Sequence, residues 1–100
     1  MNHRALLLLI RVACENYYRE SYNDHTRKQI LSGIYELADV LQEDLESPEF
    51  QKLRDHARRE IQLIQDYAEA GLTGKHPIRD VIPWIVDCTD RAIPLPPELE

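Results

Sequence analysis

The residues with which this chain could do chemistry are four histidines, two cysteines, an acidic stretch and a group of tyrosines, and their spacing decides what that chemistry is. His3, His25, His56 and His76 form no metal-ligand pattern. His56 and Glu60 stand one helical turn apart and could share an ion, but two ligands do not close a site. The inward Glu-x-x-His pairs of a di-iron bundle are lacking. Cys14 and Cys88 lie far apart, with no C-x-x-C unit and no histidine cluster beside them. The helical neighbours of Cys14 are mostly apolar, which raises a thiol pKa and makes it inert. Two reduced, partly buried thiols are expected; a disulfide pinning the C-terminal segment to the first helix is the alternative. Gly71-Leu72-Thr73-Gly74-Lys75-His76 has the look of a phosphate loop, yet the Walker spacing is absent and no strand precedes it, so it is read as a plain loop. No catalytic residue, metal or cofactor is assigned, and the chain is not expected to be an enzyme.

Three features carry binding content instead. Tyr17, Tyr18 and Tyr22 with Arg19 fall at the C-terminal end of the first predicted helix, and Tyr and Arg give large contact area at modest entropic cost. The other reading places Tyr17 in the core and the remaining tyrosines over the bundle end. Glu36, Asp39, Glu43 and Glu46 recur at spacings of three, four and three, which sets them on one narrow helical face. No lysine or arginine lies between Lys28 and Lys52 to relieve them. Such a ridge is either a solvated face or a surface that docks on a basic groove. The third feature is Pro94-Leu95-Pro96-Pro97, a segment pre-ordered for an aromatic groove or for lying along its own bundle. Trp84, beside Pro83, is expected to anchor the C-terminal region to the core.

The elements that must position these residues follow from periodicity. Ile30, Ile34, Leu37, Leu41 and Leu45 mark one helical stripe, and Phe50, Leu53, Ala57, Ile61, Ile64 and Ala68 mark another. Glu46-Ser47-Pro48 separates them, with Ser47 suited to an N-cap and Pro48 to the first turn. The pattern predicts an all-α fold: an antiparallel hairpin over residues 26–70, packed on a helix over 2–22. A short C-terminal helix limited or kinked by Pro83 follows at 78–92, and an extended tail at 93–100. Residues 1–92 thus form a single helical domain. Gly71 is expected to supply the left-handed stop of the third helix. Arg54 and Arg58 are expected to pair with the second-helix acids across the hairpin. The first helix is apolar almost all round at Ala5-Leu6-Leu7-Leu8-Leu9-Ile10, with Arg4, Arg11, Glu15 and Arg19 as a narrow charged strip. A helix of that kind must be covered on most sides, either by wrapping within the chain or by a second copy in a homodimer.

Composition bounds the partner. One hundred residues with 43% hydrophobic and 30% charged content make one small folded domain. The net charge of −6 is uneven: residues 1–29 carry five bases against three acids, and residues 30–50 carry six acids and no base. That balance argues against direct nucleic-acid binding, which needs many phosphate-neutralising bases, and suits a protein partner with a basic surface. The N-terminal apolar run is too short to span a membrane and Arg11 interrupts it as a secretion signal, so a cytoplasmic location is expected.

Short, acidic, helical and lacking a catalytic signature, the chain is similar in general style to small phage-encoded inhibitors of host defence, including anti-CRISPR proteins. The resemblance is one of composition and matches no motif. It implies a protein that works by occluding another's surface, an inhibitor or regulatory adaptor with the acidic ridge and the tyrosines as contacts. Two rivals stand beside that reading. One is an oligomeric small-ligand or nucleotide-binding protein using Tyr17, Tyr18, Arg19, Arg27 and Lys28. The other is a DNA-binding transcriptional regulator, which the long hairpin and acidic balance disfavour.

Overall fold

A computed structural model of the chain describes residues 3–19, 24–45 and 51–93, with side chains described over 4–18, 25–43 and 57–93. Four helices occupy these spans: α1 (His3–Arg19), α2 (Asp24–Leu45), α3 (Gln51–Leu72) and α4 (Ile78–Ala92), and there is no strand among the described residues. The helices run alternately up and down. Arg27, near the start of α2, lies 5.5 Å over the ring of Tyr17, near the end of α1. Asp39 and Gln42 of α2 meet Gln65 and Gln62 of α3, a register that advances on one helix as it recedes on the other. Tyr67 stacks on Trp84 and Glu60 meets Arg91, which sets α3 against α4 in the same antiparallel sense. α1 closes the square by seating between α2 and α4.

α4, the shortest of the four at 15 residues, is a full wall of a four-helix bundle. It supplies Val81, Ile82, Ile85, Cys88, Thr89 and Ala92 to the core. Its start follows from local chemistry. Pro77 stands at the N-cap, where its missing N–H is no loss, and its carbonyl accepts from the amides of Asp80 and Val81 at 3.0 and 3.2 Å. Asp80 in the first turn and Arg91 in the last match the helix dipole. The helix runs through Pro83, whose ring faces outward.

The α3 stripe is as expected where it is described: Ala57, Ile61, Ile64 and Ala68 are fully buried. Phe50 and the side chain of Leu53 lie outside the described residues. The α2 stripe is kept at Ile34 and Leu41 and shifted towards Leu31 and Ala38; the side chain of Leu45 lies outside the described residues. Leu31, Ile34, Ala38 and Leu41 are buried, while Ile30 and Leu37 are only half-buried. The cause is Gly71. It does not end α3 in a left-handed conformation; it lies inside the helix, buried, against Leu31 and Val81. A position without a side chain lets Leu31 enter the gap among α2, α3 and α4. The left-handed residue is Gly74, at φ 81°. The turn around it is tied by Thr73 N–H to the Glu69 carbonyl at 2.9 Å and His76 N–H to the Ala70 carbonyl at 3.2 Å. The capping roles assigned to Ser47 and Pro48 and the tail at 94–100 lie outside the described residues. No helix among the described residues is long and apolar enough to cross a membrane.

Candidate functional site

Glu36, Asp39 and Glu43 are all exposed on the side of α2 turned away from its buried stripe. Among the described residues no cation pairs with any of them. Glu46 lies outside the described residues. Arg58, expected to pair with these acids, is exposed and forms no ion pair with them; the side chain of Arg54 is not among those described. Glutamines span the hairpin instead. Gln65, almost fully buried, donates to Asp39 at 3.2 Å. Gln42 donates to Gln62 at 3.2 Å, and Gln62 in turn donates to Asp66 at 3.0 Å.

This seam has a physical consequence. Neutral amides orient Asp39 and Asp66 without cancelling their charge, so the negative field of the face stays available to solvent. Asp66 also borders an open depression of about 410 Å³ with Glu69, Ala70, Thr73 and Lys75. Asp66 and the three glutamines were missed from sequence, although the antiparallel register makes 39 face 65 and 42 face 62 once the hairpin is accepted.

The tyrosine group occupies another part of the bundle. Tyr17 is half-buried against the core and Tyr18 is 58% exposed, meeting Tyr17 edge-on at 5.5 Å and 84°. Burial, then the neighbouring Cys14, Tyr17 and Asp87, push the Tyr18 phenol above its ordinary pKa. Tyr17, Arg27, Pro77, Ile78 and Arg79 line an open depression of about 520 Å³ at the end of the bundle. Tyr22 and the side chain of Arg19 lie outside the described residues, and Lys28 is exposed. Arg27 and Glu36 are nine residues apart on α2, about 13 Å along the axis. The ridge and the tyrosine end are therefore separate surfaces, not one site.

The remaining reactive groups are sealed. Cys14 and Cys88 are free thiols, fully buried. Burial pushes the Cys14 thiol up to about 12, with Glu15 raising it further and Arg11 opposing. Burial, with Glu60, pushes Cys88 up to about 11 against the opposing pull of Arg91. Arg91 bonds Glu60 at 2.9 Å and reaches the Cys88 sulfur at 3.5 Å, so this latch covers the thiol. Trp84 is a rim residue, not a core anchor: 37% exposed, it packs at 5.3 Å on both Tyr67 and His76. Among the described residues no three His, Cys, Asp or Glu side chains come together in a way that could hold a metal ion.

α1 carries a third surface. Leu6, Leu7, Ile10 and Cys14 are buried, whereas Leu8, Leu9 and Val12 are 41%, 53% and 49% exposed. Of the charged strip, Arg11 ties α1 to α4 through its bond to Asp90. The rest of α1 is thus covered on two flanks and left open on the side opposite the core. In comparisons with known proteins the chain matches no family model, no curated protein and no solved structure.

Proposed function

We propose that this protein is a non-enzymatic binding module, an inhibitor or regulatory adaptor that occludes a basic surface of a protein partner with the α2 ridge. One observation carries the reading: Glu36, Asp39 and Glu43 share an exposed face on which no described cation pairs with them, beside a glutamine seam that orients Asp39 and leaves its charge intact. A carboxylate field of that kind speeds encounter with a basic partner and rejects acidic ones. The reading agrees with the resemblance in style to small phage-encoded inhibitors.

The test is capture of partners from the native host with the unaltered chain and with a variant carrying Lys at 36, 39, 43 and 46. One stoichiometric basic protein, lost from the variant while its helical circular dichroism is retained, supports the proposal. Retention of the same protein at unchanged affinity overturns it.

A small anionic ligand is the second reading, supported by the depression in which Arg27, Arg79 and the Tyr17 ring converge. Cations beside a π face are adequate chemistry for a nucleotide. Titration of isotope-labelled protein with nucleoside phosphates should then shift the Arg27 and Arg79 side-chain resonances. Unmoved resonances at millimolar nucleotide remove this reading.

A further inference from the structure

The rim around Trp84 is an aromatic surface that no described element covers. Trp84 is 37% exposed and stands between Tyr67 and His76, with each ring centroid 5.3 Å from its own. Pro83 and His76 are exposed beside it, and Tyr67 is half-buried. This rim is the far end of a seam between α3 and α4. The near end is the Arg91–Glu60 pair at 2.9 Å, and Leu63 lies half-buried on α3 between Glu60 and Tyr67. Two residues past Arg91 the described chain ends at Ile93, and Pro94-Leu95-Pro96-Pro97-Glu98-Leu99-Glu100 follows. We propose that this segment turns back along the seam and seats Pro96 and Pro97 on Trp84 as an intramolecular strap.

Length, chemistry and charge select this occupant. The return from Ile93 to Trp84 covers about 14 Å along the axis of α4. Residues 94–100 span about 22 Å at about 3.1 Å per residue in extended left-handed backbone, which leaves about 8 Å for the reversal. Pro94, Pro96 and Pro97 lack the amide N–H with which a helix would continue, so extended backbone is the form open to them. Proline rings pack on tryptophan and tyrosine faces, and little entropy is lost because φ is already fixed. The tether also sets the direction. The prolines reach Trp84 first, and Glu98 and Glu100 arrive beyond it, at the loop that carries Lys75 and His76. Lys75 is exposed and shares a depression with Asp66 and Glu69, yet no carboxylate among the described residues pairs with it. A segment already attached to the bundle meets the rim at an effective concentration that a free peptide does not match. The seam is formed by α3 and α4 and leaves the α2 ridge uncovered, so the strap and the ridge stand or fall separately.

Trp84 is the one tryptophan of the chain, so acrylamide quenching of its fluorescence reads the rim alone. Pro96→Ser with Pro97→Ser should raise the quenching constant roughly twofold while helical circular dichroism is unchanged, because the proline rings no longer shield the indole. Lys75→Glu should raise it by a smaller factor, and adding Glu98→Lys and Glu100→Lys to that variant should bring it back. In the unaltered chain, Trp84 indole protons should give nuclear Overhauser cross-peaks to the Pro96 and Pro97 ring protons. These should persist on dilution from about 500 to about 50 µM, a range over which weak association is lost. Quenching that ignores the serine substitutions, or the lack of those cross-peaks, overturns the strap. Cross-peaks that join differently labelled copies overturn it in favour of a second chain. A charge exchange that fails to restore quenching overturns the pairing of the tail acids with Lys75.

Discussion

At Gly71 the backbone of α3 runs so close to its neighbours that an added Cβ would lie 2.4 Å from Leu31 Cδ2 and 3.0 Å from Val81 Cγ2. Both side chains are fully buried in the core, where close packing resists displacement. At Gly33, also helical, an added Cβ meets nothing within 4 Å. Gly33→Ala should stabilise the fold by about 0.5–1 kcal/mol through helix propensity. Gly71→Ala gains the same propensity but must displace core atoms, and should destabilise by about 1–2 kcal/mol net. Urea unfolding of the pair reads both signs. The thiols give a residue-scale pH dependence. Their folded pKa values, about 12 and about 11, stand above the unfolded value of 9.0. Stability from this source is therefore complete below pH 9 and lost as pH rises towards the folded values, by up to about 1.4 kcal/mol per pH unit per thiol. Alkylation at pH 8 should be slow in the native protein and fast in denaturant. Rapid native alkylation would show that burial does not hold.

The hairpin of α2 and α3 is where an element-level distinction can be measured. The three described ridge acids look equivalent by spacing, but only Asp39 is bonded across to α3, accepting from the nearly buried Gln65 amide. Removing that acceptor strands a poorly hydrated donor, so Asp39→Ala should cost about 1 kcal/mol. Glu36→Ala and Glu43→Ala, both on exposed positions, should each cost under ~0.5 kcal/mol. Chemical denaturation of the three variants checks the order; equal costs would remove Gln65 from the role described. The same contact explains why a four-lysine variant is expected to remain folded but weaker, and why its helicity must be monitored alongside binding.

Across the whole molecule the helices are held unequally. α2 packs extensively on α3 and α3 on α4, whereas α1 sits less extensively between α2 and α4 with one flank of its surface open. Local opening follows the helix with least buried area. Native-state hydrogen exchange should therefore release the amides of Leu7 to Cys14 before those of Ile61 to Ala68, by a factor of about 10 or more. Uniform exchange across all four helices would contradict the unequal packing.

Periodicity near 3.6 residues was sufficient to place the α2–α3 hairpin and the described part of the α3 core stripe, because a helix that must bury one face declares that face in its own residue order; the bounds of α4 came from the loop that ends at Pro77 and the proline-rich segment after Ala92. It also set Glu36, Asp39 and Glu43 on a common exposed side. Other features depended on distances between elements that no local pattern encodes. Gly71 reads equally well as a helix stop or as a close approach, and only the arrival of Leu31 and Val81 beside it selects the second. Arg58 and the ridge acids are a plausible pair by charge, yet the antiparallel register brings glutamines rather than arginine to Asp39. The first helix is apolar in nearly every direction by sequence, and which of those directions stays open was decided by α4, which fills one flank while α2 fills the other. A one-dimensional pattern specifies what each helix can bury; the packing of four helices determines what is left uncovered.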